Sequence, residues 1–82
     1  MNSEEQYVLI NQDNQYYQEF DVFTNLPIHT NTIYDAHIYI TITDAKQAIK
    51  DIKEWTSKNK RRNNTYVIAK IIVSVEIIED NN

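Results

Sequence analysis

The chain contains no glycine. At an average usage of about 7%, a chain of this length would hold about six. The absence removes every loop that needs glycine at a fixed point: the P-loop, the dinucleotide fingerprint, the nucleophile elbow and the EF-hand loop. It also means that turns with positive φ must fall to Asn or Asp, the next best residues there. Cysteine is absent too, so neither disulfides nor a thiolate zinc site can reinforce the fold. No apolar run approaches the roughly 20 residues of a membrane span. The start MNSEEQ is acidic and polar, unlike a signal peptide. A soluble, cytoplasmic protein is the expectation.

A further absence concerns charge of one sign. Residues 1–45 hold no Lys or Arg but carry Glu4, Glu5, Asp13, Glu19, Asp21, Asp35 and Asp44. Residues 46–82 carry all 8 basic side chains against the acids Asp51, Glu54, Glu76, Glu79 and Asp80. The net charge of −4 therefore combines an acidic first half with a basic second half. Five tyrosines (Tyr7, Tyr16, Tyr17, Tyr34, Tyr39) share the acidic half, and only Tyr66 lies beyond it. Acid and tyrosine on a small rigid sheet suit docking to a basic protein surface better than they suit chemistry.

The 82 residues predict one domain, with residues 1–6 and 79–82 as flexible ends. Its core must be small, because a chain of this size buries only about 60% of its unfolded surface. Tyr7 to Asn11 reads as a first strand, residues 12–15 as a polar turn, and Tyr16 to Phe23 as a second strand pairing with the first as a hairpin. Strict alternation puts Tyr16, Gln18, Phe20 and Val22 on one side and Tyr17, Glu19, Asp21 and Phe23 on the other. The side bearing Phe20 and Val22 is the better core candidate.

Thr24 to Thr32 reads as a loop, in which Pro27 biases Leu26 to an extended conformation. A third strand is expected within Ile33 to Thr41, best defined over Ala36–Thr41. A helix follows: Ala45, Ala48, Ile49, Ile52 and Trp55 recur at spacings of three and four, with Thr41 or Thr43 as N-cap and Asn63-Asn64 as its end. Thr65 to Ile78 reads as a long final strand. Its odd-numbered set from Val67 to Ile77 would face the helix, and so apolar a strand should be central. The order β-β-β-α-β predicts an α+β fold: a mainly antiparallel four-stranded sheet with one helix on one face. The other face should be open and show tyrosines, acids and scattered isoleucines.

Few residues invite chemistry. His29 and His37, with Asp35, do not have the spacing of a metal site, and read as a loop residue and a strand residue. Ser3 and Ser74 have no partner pattern for a nucleophile. Glu19 and Asp21 share a strand face and would repel one another unless solvated or matched by a partner's cations. Lys58, Lys60, Arg61 and Arg62 form the main nucleic-acid signal, although cations also belong at a helix C-terminus for dipole reasons. Tyr17 and Tyr39, on the expected open faces, are the best interface tyrosines, since Tyr offers large contact area and a polar tip. Trp55, on the apolar stripe, is expected to anchor the core.

The stretch YVLINQDNQYY, the segment Ala36-His-Ile-Tyr39 and the helix start Asp44-Ala45-Lys46 together resemble small proteins of Gram-positive phages and prophages. Those proteins open with an apolar strand and a polar turn, and then run from an Ala-Xaa-Xaa-Tyr element into a capped helix. Ten Asn and thirteen Ile agree with an AT-rich source. The resemblance implies a class that includes inhibitors of host defence, among them anti-CRISPR proteins, some of which mimic the charge of nucleic acid. It carries over no functional residue.

The expected function is thus protein-binding inhibition of a host nucleic-acid enzyme, plainly not catalysis, with no cofactor or metal. Asp13, Tyr17, Glu19, Asp21, Asp35 and Tyr39 are the candidate interface. One alternative is a nucleic-acid-binding regulator using Lys58, Lys60, Arg61 and Arg62. Another is a homodimeric structural module paired through the open face.

Overall fold

The computed structural model describes residues 5–58 and 63–72. Its elements are β1 (Gln6–Asn11), β2 (Tyr16–Asp21), β3 (Leu26–Thr30), a short 3-10 turn (Ile33–Asp35), α1 (Ile42–Ser57) and β4 (Tyr66–Ile71). The strands form one antiparallel sheet in the order β3-β2-β1-β4. The chain is therefore α+β, with the strand and helix order expected from the sequence.

The turns show how the chain does without glycine. Asn14 and Asn25 are the two residues with positive φ among those described, at 63° and 55°. Asn can occupy this left-handed region because its short polar side chain bonds locally. In the β1–β2 hairpin the buried Asn11 organises the turn: its Oδ1 accepts from the backbone N–H of Asp13 at 3.0 Å and of Gln15 at 2.8 Å. Gln12 then ties the hairpin to the start of β4. Its Nε2 donates to Asn64 Oδ1 at 2.8 Å, and its Oε1 accepts from the Thr65 backbone N–H at 3.0 Å.

The third strand lies earlier in the chain than the apolar pattern suggests. The segment read as a loop contains β3, which among the described residues pairs only with β2 and forms an edge. An edge is where a strand accepts Pro27, whose missing N–H can face solvent. Of the segment Ile33–Thr41, only the stretch around Tyr39 is extended and paired. Tyr39 and Tyr7 exchange two backbone hydrogen bonds of 2.8 Å, and the His37 N–H donates to the Tyr17 carbonyl at 2.9 Å. Residues 37–39 thus sit between β1 and β2. That explains why the recorded β1–β2 register is confined to Ile10↔Tyr16 at the hairpin end. The 3-10 turn ahead of it is capped by Thr32, whose hydroxyl accepts from the Tyr34 N–H at 3.3 Å.

The helix begins where its capping residues place it. Thr41 is the N-cap, its hydroxyl accepting from the Asp44 N–H at 3.0 Å. It ends at Ser57, with Lys58 as C-cap, earlier than Asn63-Asn64. Ala45 and Ile52 are buried and, with Tyr7, Leu9 and Tyr17, make the core; Ala48 and Ile49 pack against it. Trp55 is 40% exposed and lies at the margin, against Phe20, with ring centroids 5.1 Å apart.

The final strand departs from expectation twice. Among the described residues β4 is an edge, and β1, buried along its middle, is central. The facing is also reversed. Leu9↔Ile68 and Asn11↔Tyr66 pair on the helix side, so Tyr66 and Ile68 pack on the core while Val67 is 63% exposed. Where both residue sets of a strand are apolar, hydrophobicity alone cannot fix the register, and a one-residue shift exchanges the faces. Residues 73–78 of the expected strand lie outside the described residues, as does Ser74; Ser3 does too. The far face is not open throughout: Val8, which pairs with Ala69 on that side, is buried.

This arrangement predicts unequal costs for two truncations. Leu9→Ala should destabilise the protein by about 2–5 kcal/mol by opening a cavity. Val67→Ala should cost less than about 1 kcal/mol, as expected for an exposed site. Urea unfolding measures both, and equal losses would contradict β4 as the outer strand with Val67 turned outward.

Candidate functional site

β2 does not alternate strictly, and the site follows from that. Its register against β3 runs Tyr17↔His29, then Glu19↔Ile28, Phe20↔Pro27 and Asp21↔Leu26, leaving Gln18 as an extra residue in a bulge. A bulge inserts one residue and re-aims those that follow. Tyr17 and Phe20 consequently both face the helix, while Asp21 pairs with Leu26 on the other side and Glu19, opposite Ile28, stands at the margin between the two sides. The expectation that Tyr17 shares an open face with Glu19 and Asp21 is thereby corrected: Tyr17 is buried in the core. Tyr39 is also drawn inward, half-buried against the core by its bridge to Tyr7.

Two hollows flank this stretch. A groove of about 440 Å³ is lined by Tyr17, Glu19, Phe20, Val22, Asn25, His37, Trp55 and Lys58. A shallower hollow of about 260 Å³ lies among Glu19, Phe20, Asp21, Val22, Phe23 and Ile28. Glu19 belongs to the rim of both. Beyond β2, Val22 and Phe23 are 72% and 95% exposed in the turn that Asn25 closes. A bare phenylalanine beside two carboxylates has no role in the core. The sequence signal for it is Val22-Phe23 running directly into Thr24-Asn25, a turn that interrupts the strand before the alternation ends.

The carboxylates differ in what surrounds them. Asp21 accepts a hydrogen bond from the Phe23 backbone N–H at 2.9 Å, which holds its carboxyl below the usual range and keeps it ionised. Glu5 is neutralised: Lys70 Nζ lies 2.9 Å from its Oε1, and the Tyr7 hydroxyl donates to its Oε2 at 2.6 Å. The Tyr7 bond, and next Lys70, lower the Glu5 carboxyl. That is the ion pair found among the described residues, so Glu19 and Asp21 are not matched by a cation there. Asp13 sits in the hairpin turn at the opposite end of β2, and Asp35 in the 3-10 turn. The structure therefore brings Glu19 and Asp21 together and leaves Asp13 and Asp35 on separate elements.

The two histidines join an aromatic cluster on the helix face. His29 Nε2 lies 2.7 Å from the Tyr66 hydroxyl and its ring stacks on that of Tyr66, while Tyr17 meets both edge-on. His37 packs on Tyr39, with centroids 4.5 Å apart. Burial raises the phenols of Tyr17, Tyr39 and Tyr66, which keeps them protonated at neutral pH. No group of three or more His, Asp or Glu among the described residues could hold a metal ion. No helix among them is long and apolar enough to cross a membrane. Of the basic cluster, Lys58 is the helix C-cap, and Lys60, Arg61 and Arg62 lie outside the described residues.

No protein-family model, curated protein or solved structure matches the chain.

Burial lowers the His29 imidazole below its ordinary 6.5, with the Asp13 carboxylate opposing. A depressed folded value makes the unfolded chain the better proton acceptor as pH falls below 6.5. Stability contributed by neutral His29 is therefore present above that pH and lost as pH falls toward the folded value. Urea midpoints between pH 7.5 and about 5.5 should decline more steeply for the natural chain than for His29→Phe, which keeps a ring but cannot titrate. Parallel profiles would contradict this placement of His29.

Proposed function

We propose that the protein is a phage-encoded, protein-binding inhibitor of a host nucleic-acid enzyme, acting by steric and acidic-surface blocking. The observation that carries this reading is the far side of β2. There Glu19 and Asp21, without a cation partner among the described residues, line one hollow with the exposed apolar side chains of Val22, Phe23 and Ile28. A small apolar centre with unmatched carboxylates complements a surface that binds phosphates, because Arg and Lys there need counter-charges. The charge division of the sequence supports the same reading. So does the resemblance to phage proteins, a class that includes inhibitors of host defence; the target in this reading is a CRISPR effector or another nuclease.

In this reading the anchor residues change. Tyr17 and Tyr39 position the surface from beneath, and Phe23 takes the role of exposed anchor. Residues of this kind cost about 2 kcal/mol or more when truncated at the centre of an interface, whereas a rim charge alters mainly association rate and salt dependence.

The test is capture from a lysate of a CRISPR-bearing Gram-positive bacterium on immobilised protein, read by mass spectrometry, with a Glu19→Lys/Asp21→Lys variant in parallel. The natural chain should retain a nucleic-acid enzyme at low salt, and the variant should lose it. Retention of the same enzyme by both would contradict acidic-surface docking. Direct binding of DNA or RNA by the protein alone, steeply weakened by salt, would replace it with the nucleic-acid reading.

A further inference from the structure

The larger groove has a chemistry of its own. Four aromatic rings line it: Tyr17, Phe20, His37 and Trp55. Phe20 and Trp55 are tilted by 58° with centroids 5.1 Å apart, and Tyr17 and His37 by 50° at 6.2 Å. Ring faces carry negative charge density and attract a cation that has shed its water. A carboxylate, Glu19, stands at the rim, and it is the neighbour whose charge adds to the rise of the Tyr17 phenol. The C-terminal end of α1 supplies Trp55 and Lys58 to the same groove. The carbonyls of that last turn are the negative pole of the helix, and no basic residue lies within the turn.

Ring faces, a carboxylate and a helix C-terminus all favour the same sign. Among the described residues that line the groove the opposing charge is Lys58, whose side chain is exposed and long enough to swing clear.

We propose that this groove receives an arginine side chain of the partner protein, the guanidinium lying against the Phe20 and Trp55 rings and donating to the Glu19 carboxylate. The inference rests on the protein-binding reading above and names the residue type the partner presents. Arginine fits better than lysine because its planar, weakly hydrated head stacks on rings and offers donors in a fork. The volume of about 440 Å³ lies within the range of ligand pockets. No adjustment of the core is needed, since the rings already line the groove.

Trp55 is the sole tryptophan, so its fluorescence reports on the groove directly. Nα-acetyl-arginine amide, added to the isolated protein, should change the Trp55 emission saturably, with half-saturation on the order of 1–10 mM. The neutral isostere Nα-acetyl-citrulline amide should need about tenfold more, and Nα-acetyl-lysine amide should fall between them. Glu19→Gln should weaken the arginine response about fivefold or more, and Lys58→Gln should strengthen it, with circular dichroism showing both variants folded. Equal responses to arginine and citrulline, an unchanged Glu19→Gln response, weakening by Lys58→Gln, or no saturable response would each overturn the proposal. Because no partner protein is present, failure here leaves the Glu19 and Asp21 docking face standing. Success without any enzyme captured from lysate would instead keep the groove and remove the inhibitor reading.

Discussion

The extra residue in β2 is the constraint on which the rest depends. Gln18 has no counterpart in the register between β2 and β3, and everything beyond it is re-phased. With regular alternation Tyr17 would face one way and Phe20 the other. With the bulge, both lie on the helix side, one in the core and one against Trp55. The same shift separates Glu19 and Asp21 from the face that Tyr17 takes. Core, groove and acidic face thus share a single local cause, in keeping with the tendency of bulges to lie beside functional surfaces.

A second feature supports the first. Residues 37–39 enter between β1 and β2 and bond to each, to Tyr7 on one side and Tyr17 on the other. This insertion separates β1 from β2 beyond the hairpin and sets His37 in the lining of the groove. It also brings Tyr39 and His37 into the aromatic cluster with Tyr17 and Tyr66. So small a domain has few aliphatic core residues to spare. Tyrosines, with hydroxyls that need partners, here supply much of the buried contact. The chain's lack of glycine is met in the same local way, by Asn14 and Asn25 at the two positive φ angles and by Asn11 bonding across the hairpin.

Much of the architecture could be read from residues alone. The helix was legible because its apolar spacing and the Thr41 cap agree, and the first hairpin because a polar turn separates two short apolar runs. The third strand was not. Leu26–Thr30 lacks an apolar alternation and contains Pro27, and its strand character comes from pairing at an edge. Ala36–Thr41 has the alternation but only one bridge, because it is held between two strands that pair elsewhere. The facing of β4 was hidden by its uniform apolarity. At the site, the charge of Glu19 and Asp21 was visible in the sequence, but their separation from Tyr17 was not, since nothing in the residue pattern announces Gln18 as a bulge. Phe23 and Trp55 gain their places from that same re-phasing and from the early end of the helix.

The bulge in β2 is tested most directly by through-space proton contacts measured in solution by NMR. A bulged β2 predicts strong contacts from the Phe20 ring to the Trp55 indole, and from the Tyr17 ring to the Tyr66 ring, in the same folded species. Finding the Tyr17 contacts with Phe20 instead beside Ile28 on the far face would mean that β2 alternates regularly; the groove would then disappear, and Glu19 and Asp21 would share the face of Tyr17.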